Sequence, residues 1–564
     1  MGKKVVIVGG VAGGASAAAR LRRLSEDFEI VLFERGADVS FANCGLPYYV
    51  GGVIDARKKL LVQTPVSLFK RFNIHVRTLS EVTRINAQQK EVEVKNLKTS
   101  EVYKESYDYL VLSPGAKPII PDIPGIGLPN VFSLRNLVDT DNLKQYIETC
   151  SPKRALIIGG GFIGLEIAEN MKEKGVEVFI VELTDQIMAP LDFEMASIVH
   201  DHLRKNGINL LLKQSVTALE GDTQVRKARL SSGEELEVDM VVLGIGVTPE
   251  SGLAKEAGLA IGKTGGIQVD EYLRTSDPNI YAVGDAIQVK HFVTGNDVLI
   301  PLAGPANKQG RLVADNIAGR PAKYKGTQGT AIVGTMGLVA ATTGVNEKTL
   351  KRLGKDYGCC HLHPDDHARY YPGFSEMSLK LIFAKDDGKV LGAQIVGKQG
   401  VDKRIDVIAT AIRAGMTVYD LQDLELAYAP PFSSAKDPVN MAGYVAANIL
   451  KGDYAPCNWD NWDEVLAEDP MLLDVRMDKE AEKFGTIPGS VLIPLNDLRE
   501  KLAEIPKDKP IMIFCQVGLR GYIAERMLKQ HGFTKVKNLC GGYKTYKPLA
   551  KFLKTAKVSE PVSK

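Results

Sequence analysis

No two of the seven cysteines (44, 150, 359, 360, 457, 515, 540) stand at C-x-x-C spacing, and their number is odd. That excludes a disulfide framework and a zinc site, and it points to thiols kept reduced in a cytoplasm, with one or two free for catalysis. No metal is expected. Nor is there an uncharged apolar run of the roughly 18 residues that a membrane helix needs. The opening MGKKVVIVGG puts basic residues before an apolar run, as a signal peptide does. The run is short and enters a glycine-rich turn, so it reads as a first β-strand with no secretion. Lys and Arg (71) nearly balance Asp and Glu (68), with only local clusters such as RLRRL at 20–24 and FKRF at 69–72. A nucleic-acid face is therefore not expected.

What is present is an ordinary soluble composition, 45% hydrophobic and 25% charged, over 564 residues. At roughly 150 residues per domain this predicts three or four domains. Residues 4–36 read KVVIVGGVAGGASAAARLRRLSEDFEIVLFERG: apolar strand, glycine-rich turn, helix, second strand, then Glu34. This is the order of a Rossmann βαβ unit, in which backbone amides and a helix N-terminus receive a pyrophosphate and the acid binds ribose hydroxyls. Against G-x-G-x-x-G the first turn offers Gly9 and Gly14, with Val11 in the middle and Gly10 and Gly13 beside it. A second copy at 154–182 carries the full pattern at Gly159, Gly161 and Gly164 and closes on Glu182. Two dinucleotides are expected. The Glu182 carboxylate would repel a 2'-phosphate, so NADH is favoured over NADPH there.

A third segment, TSDPNIYAVGDA at 275–286, puts Asp285 after an apolar strand and a glycine. With the two turns it resembles the two-dinucleotide flavoprotein disulfide reductase family over about residues 3–450. The resemblance implies FAD in the first turn with Asp285 on its ribityl chain, a nicotinamide in the second, and hydride passing between them. It also implies that GIGVTPE (244–250) lies near the junction of the two domains.

Classical members carry a second cysteine a few residues after the first and end on a His-Pro dipeptide. Here position 49, five after Cys44, is tyrosine, and LAYAPPFSSAKDPVNMAG (426–443) has no histidine. The chain is similar instead to the single-cysteine branch: coenzyme A disulfide reductases, NADH oxidases and NADH peroxidases. SFANCGLPYY (40–49) and AYAPPFSSAKDP (427–438) look most like the first of these. With one protein thiol, the redox partner must be a low-molecular-weight thiol or an oxygen species.

Coenzyme A would bring three phosphates, for which Arg20 and Arg23 on one face of the first helix, with Lys70 and Arg71, are the basic candidates. The resemblance adds Ser16, Ser40 and Asn43 near the ligand, with Asn307 and Lys308 supplied from a neighbouring subunit. It matches Tyr370 and Tyr428 to a tyrosine pair that assists the departing sulfur; whether Tyr370 or Tyr371 points inward stays open. It makes 327–450 a homodimer interface that contributes Tyr428 to the partner's site.

After residue 450 the pattern restarts. MLLDVRMDKE (471–480), GTIPGSVLIPL (485–495) and IMIFCQVGLRGYIAERML (511–528) resemble a single rhodanese domain. Cys515 opens a loop at a helix N-terminus that Arg520 closes, a cradle that stabilises a thiolate or persulfide. The six-residue loop is the length that the family associates with sulfur transfer. Cys540, in the family's L-x-G-G segment, reads as structural.

The expected fold is α/β: an FAD-binding domain (1–117 and 245–326), an NAD(P)H-binding domain (118–244), an α+β dimerisation domain (327–450), a linker (451–458) and a rhodanese domain (459–555). The expected activity is NADH-dependent reduction of a persulfide or polysulfide with release of hydrogen sulfide. Coenzyme A is the thiol partner, Cys44 handles electrons, and Cys515 handles sulfane sulfur. The alternatives are coenzyme A disulfide reduction with an accessory rhodanese, an NADH oxidase or peroxidase, and a sulfurtransferase or sensor.

Overall fold

The computed structural model describes residues 2–550 and Phe552. The end of the expected rhodanese span, 551 and 553–555, lies outside them. The chain forms two compact units, one from the chain up to Asp185 with Gly207–Gly329, the other from Gln186–Asn206 with the chain from Thr330 onward. The architecture is mixed α/β throughout.

In the first unit a five-stranded parallel sheet runs in the order Ile280–Ala282, Tyr109–Leu112, Lys4–Val8, Glu29–Phe33, His75–Arg77. Val5, Val6 and Ile7 are fully buried, as expected of a parallel strand covered on both faces. The helix Ala12–Leu24 follows the first strand and packs on Ala303–Ile317. The approach is close enough that a Cβ on Gly310 would lie 2.2 Å from Gly13 O.

A second parallel sheet repeats the plan: Ile208–Leu212, Glu177–Glu182, Arg154–Ile158, Met240–Leu243, Val131–Ser133. A two-stranded antiparallel ribbon, Ala116–Pro118 with Val247–Pro249, stands where the chain passes between the two sheets.

The second unit holds a five-stranded antiparallel sheet, ordered Ala331–Thr335, Leu338–Gly344, Val390–Gly397, Ser378–Phe383, Gly358–Leu362. The helix Phe193–Lys205, expected within the nicotinamide-binding span, packs here instead. It buries Met195, Ala196, Val199 and Leu203 and adds an ionic contact. Glu194 and Asp192 are buried and meet the ammonium of Lys380 on the antiparallel sheet, which also meets Glu347. Those three carboxylates are the one cluster among the described residues with the spacing of a metal site, and Lys380 fills it.

A parallel five-stranded sheet completes this unit in the order Pro456–Cys457, Val536–Leu539, Ile511–Phe514, Met471–Asp474, Val491–Leu492. Pro456 and Cys457, expected in a linker, are therefore an edge strand. Proline opens it, at the position and sheet edge where its missing N–H is tolerated. No helix among the described residues is long and apolar enough to cross a membrane.

Candidate active site

The two glycine-rich turns are built alike. Gly9 and Gly159 have φ of +94° and +104°, and a Cβ there would stand 2.1 Å from Ser113 O and 2.5 Å from Gly244 O respectively, so only glycine fits. Five residues on, Gly14 and Gly164 let the helix lean on the turn: a Cβ would lie 1.9 Å from Gly9 O and 2.2 Å from Gly159 O. Gly10 and Gly13 pack against Val39 and Val283. The middle position, by contrast, has room. Gly161 meets only Gly244 O at 3.8 Å, which explains how Val11 serves in the first copy.

The acids match as well. Glu34 accepts from Gly10 N and Gly36 N, both at 2.9 Å, and Glu182 accepts from Gly160 N at 2.9 Å and Thr184 N at 3.0 Å. Both following helices, Ala12–Leu24 and Phe162–Glu173, begin without a side-chain cap and without an acidic residue in the first turn. No charge on either first turn opposes an anion there, although in the first helix Gly14 N already donates to Ser113 Oγ at 3.1 Å.

Asp285 lies in the short turn Gly284–Ala286, and Arg135 Nη2 donates to its Oδ2 at 3.3 Å. Arg135 escaped the sequence reading because nothing local marks it.

Cys44 lies in the single turn Asn43–Gly45 that opens into the helix Leu46–Gly51. Its side is open to solvent while protein packs behind it. That partial burial raises the thiol above its ordinary value, and the charges of Glu166 and Asp285 raise it further. Nearby, Asn43 Oδ1 is buried with no partner. Ser40 is buried at φ +51°, its backbone bonded to Gly10 O at 2.8 Å.

Ser16 Oγ donates to Asn307 Oδ1 at 2.5 Å within one chain. The packing of Ala12–Leu24 on Ala303–Ile317 brings Asn307, expected at a ligand site from a second subunit, beside Ser16 of its own chain. Lys308, beside it, is exposed, as are Arg23, Lys70 and Arg71. Arg20 is engaged, with Nε and Nη2 on Asp315 Oδ1 at 2.9 and 2.7 Å.

Tyr370 and Tyr428 hydroxyls are 2.9 Å apart and exposed. Tyr371 instead packs edge-on against His367.

Cys515 is fully buried at the end of Ile511–Phe514, and Gly518 N donates to its Sγ at 3.1 Å. Gly518 adopts φ +102° and starts the helix Leu519–Gln530. Arg520 is clamped by Glu480 through two bonds of 2.6 and 2.7 Å. Glu480 holds the guanidinium above its ordinary value against burial, with the Cys515 sulfur adding to the effect. Arg476, buried against Asp474, reaches Gln516 of the same loop at 3.2 Å.

Residues 3–310 match the family model for pyridine nucleotide-disulphide oxidoreductases. The chain belongs to that family. Residues 330–438 match the family's dimerisation domain and 460–548 a rhodanese-like domain. A coenzyme A disulfide reductase of Staphylococcus aureus is 38% identical over 444 residues, 78% of this chain and 99% of that one. The crystal structure of the reduced Bacillus anthracis CoADR-RHD is 54% identical, with TM-score 0.95 over 98% of this chain and 99% of that one. An NAD-dependent persulfide reductase from A. fulgidus is 40% identical, with TM-score 0.91 over 96% of this chain and 100% of that one.

Membership of the pyridine nucleotide-disulphide oxidoreductases implies FAD and a nicotinamide dinucleotide. The residues fit both, since each helix N-terminus is paired with a glycine-rich turn and an acid at the end of the second strand. The sequence reading missed Glu166, the acid two residues after Gly164, which receives a hydrogen bond from Tyr48 and raises Cys44. Its one signal was an acidic residue on the otherwise apolar helix FIGLEIA.

Proposed function

We propose that this protein is a cytoplasmic, homodimeric NADH-dependent persulfide reductase that releases hydrogen sulfide. The observation that supports it most is the pairing in one chain of a solvent-open lone thiol, Cys44, with a second thiol, Cys515, held in a loop of backbone amides.

In this reading Cys44, as thiolate, attacks the inner sulfur of coenzyme A persulfide or a related sulfane-sulfur compound. The bond to the outer sulfur breaks, hydrosulfide leaves with the electron pair, and a Cys44–thiol mixed disulfide remains. Bound FAD and nicotinamide supply the electron pair that reduces this disulfide. Gly9, Gly10, Gly13, Gly14, Glu34 and Asp285 would hold FAD; Gly159, Gly161, Gly164 and Glu182 would hold the nicotinamide dinucleotide. Ser16, Ser40, Asn43 and Asn307 would position the thiol ligand, and Arg23, Arg71 and Lys308 would meet its phosphates. Arg20 would have to leave Asp315 to join them. Tyr370 and Tyr428 would donate a proton to a departing sulfur. Cys515, with Arg520, would take up or deliver the sulfane sulfur.

Coenzyme A disulfide reduction at the same thiol is the second reading, favoured by the Staphylococcus aureus relative. It forms the same mixed disulfide but expels a coenzyme A thiolate. Anaerobic NADH oxidation by the FAD-loaded protein separates the two. Faster turnover with coenzyme A persulfide and one sulfide per NADH is the expected result; faster turnover with the disulfide, or none with the persulfide, would promote the second reading.

A further inference from the structure

Cys540 has a partner that its sequence context does not announce. Its Sγ lies 3.2 Å from Nδ1 of His361, whose Nε2 lies 2.9 Å from Glu194 Oε1. All three residues are buried. Glu194 is in turn held by Lys380. Burial drags the imidazole down, but the Cys540 sulfur and Glu194 outweigh it and push His361 up to about 9. The imidazole thus bridges a sulfur and a carboxylate, one ring nitrogen to each.

The turn that carries Cys540 lies on the Cys515 loop. Tyr543 N donates to Cys515 O at 2.8 Å, and Lys544 N to Gln516 O at 2.9 Å. Gly542 touches the same carbonyl so closely that a Cβ would stand 2.4 Å from it. A second peg stands alongside: His363 Nε2 lies 2.8 Å from Thr545 Oγ1, one turn further on. Two histidines of the strand Gly358–Leu362 and the residue that follows it thus grip the segment against which the Cys515 backbone is set.

We infer that His361 and Cys540 are positioning residues for Cys515, through which the antiparallel sheet fixes the geometry of the sulfur-transfer loop. The contact anchors Cys540, Cys540 places Gly542 and Tyr543, and these hold the Cys515 carbonyl and so the direction in which Sγ faces its amide donors. A loop displaced by a fraction of an ångström loses rate more than binding. The inference rests on the sulfur-transfer role proposed for Cys515.

The test uses the full-length, FAD-loaded protein with four substitutions. His361→Asn keeps a donor at the Nδ1 position facing Cys540; His361→Gln keeps one at the Nε2 position facing Glu194; Cys540→Ser keeps a polar acceptor; Cys540→Ala removes it. Sulfur transfer is read as thiocyanate formed from thiosulfate and cyanide, loop geometry as the alkylation rate of Cys515 by iodoacetamide, and the flavin half as NADH-driven ferricyanide reduction. Cys540→Ala and His361→Gln should lower kcat for thiocyanate about ten- to a hundredfold with little change in the KM for thiosulfate. They should also change the Cys515 alkylation rate and leave ferricyanide reduction as it was. His361→Asn and Cys540→Ser should restore most of the rate. Equal behaviour of Asn and Gln at 361, or a lowered melting temperature with kcat and alkylation unchanged, would overturn the inference. If the unaltered protein forms no thiocyanate, the proposed role of Cys515 fails instead, and the alkylation rates alone decide the positioning.

Discussion

Tyr48 Oη donates a 3.2 Å hydrogen bond to Glu166 Oε1. The bond ties the segment that carries Cys44 to the helix after the second glycine-rich turn, and so turns a carboxylate toward the thiol. Burial pushes Glu166 up to about 7; burial and then the Glu166 charge push Tyr48 up to about 12. A carboxyl group that titrates near neutrality beside a nucleophilic sulfur links the thiol's ionisation to its own.

Glu166→Gln removes that charge and keeps an acceptor for Tyr48. The Cys44 thiol should ionise more readily, and its alkylation by iodoacetamide near neutral pH should accelerate by about two- to fivefold. An unchanged rate would mean that burial alone, the larger cause, sets the Cys44 thiol.

Selection between the two nicotinamides is expected to reside in Glu182. Replacing it by Ser removes the repulsion of a 2'-phosphate and keeps a hydroxyl for the turn. The ratio of kcat/KM for NADPH to that for NADH should rise by about tenfold or more, measured as steady-state turnover. A ratio that does not move would place the choice outside this carboxylate.

The Lys380 ammonium meets all three buried carboxylates, Asp192, Glu194 and Glu347, while His361 reaches Glu194 alone. Burial opposes ionisation of Glu194, yet Lys380 and His361 hold it well below the usual carboxylate range. Lys380→Met should destabilise the second unit by roughly 3–5 kcal/mol by leaving buried carboxylates unpaired. Pulse proteolysis of the variant measures this; an unaltered unfolding profile would contradict it.

His200 is buried with Nε2 accepting from Ile187 N at 3.2 Å, and burial, then Arg204, lowers it from 6.5 to about 3. The folded chain refuses a proton that the unfolded chain takes, so stability rises with pH across that window. Its contribution is complete above about 6.5 and is lost as pH falls toward about 3. His200→Gln, which keeps an acceptor for Ile187, should flatten the dependence of melting temperature on pH between those values. Retention of the full slope would assign it to other groups.

The parts of the site that were legible in the sequence are those whose backbone makes a local demand. Gly9 and Gly14, and again Gly159 and Gly164, sit at fixed spacing because a turn at positive φ and a close helix–strand approach admit no side chain. Cys515 and Arg520 were legible for a similar reason, one loop closing at one helix start. The allegiance of Phe193–Lys205 was not, because its partner Lys380 lies 186 residues from Glu194. Pro456 suggested a break in the chain, and only the neighbouring strand Val536–Leu539 makes it an edge.

The sequence by itself determined two dinucleotide-type βαβ units, a lone thiol after the first and a second thiol loop near the far end, since each is specified by contiguous residues and their spacing. Only the tertiary structure decided that Asn307 stands beside Ser16 of its own chain, that Tyr370 rather than Tyr371 meets Tyr428, that Glu166 faces Cys44, and that His361 grips Cys540. These contacts join residues distant along the chain. Their charges and hydrogen bonds acquire meaning only when burial removes water from between them.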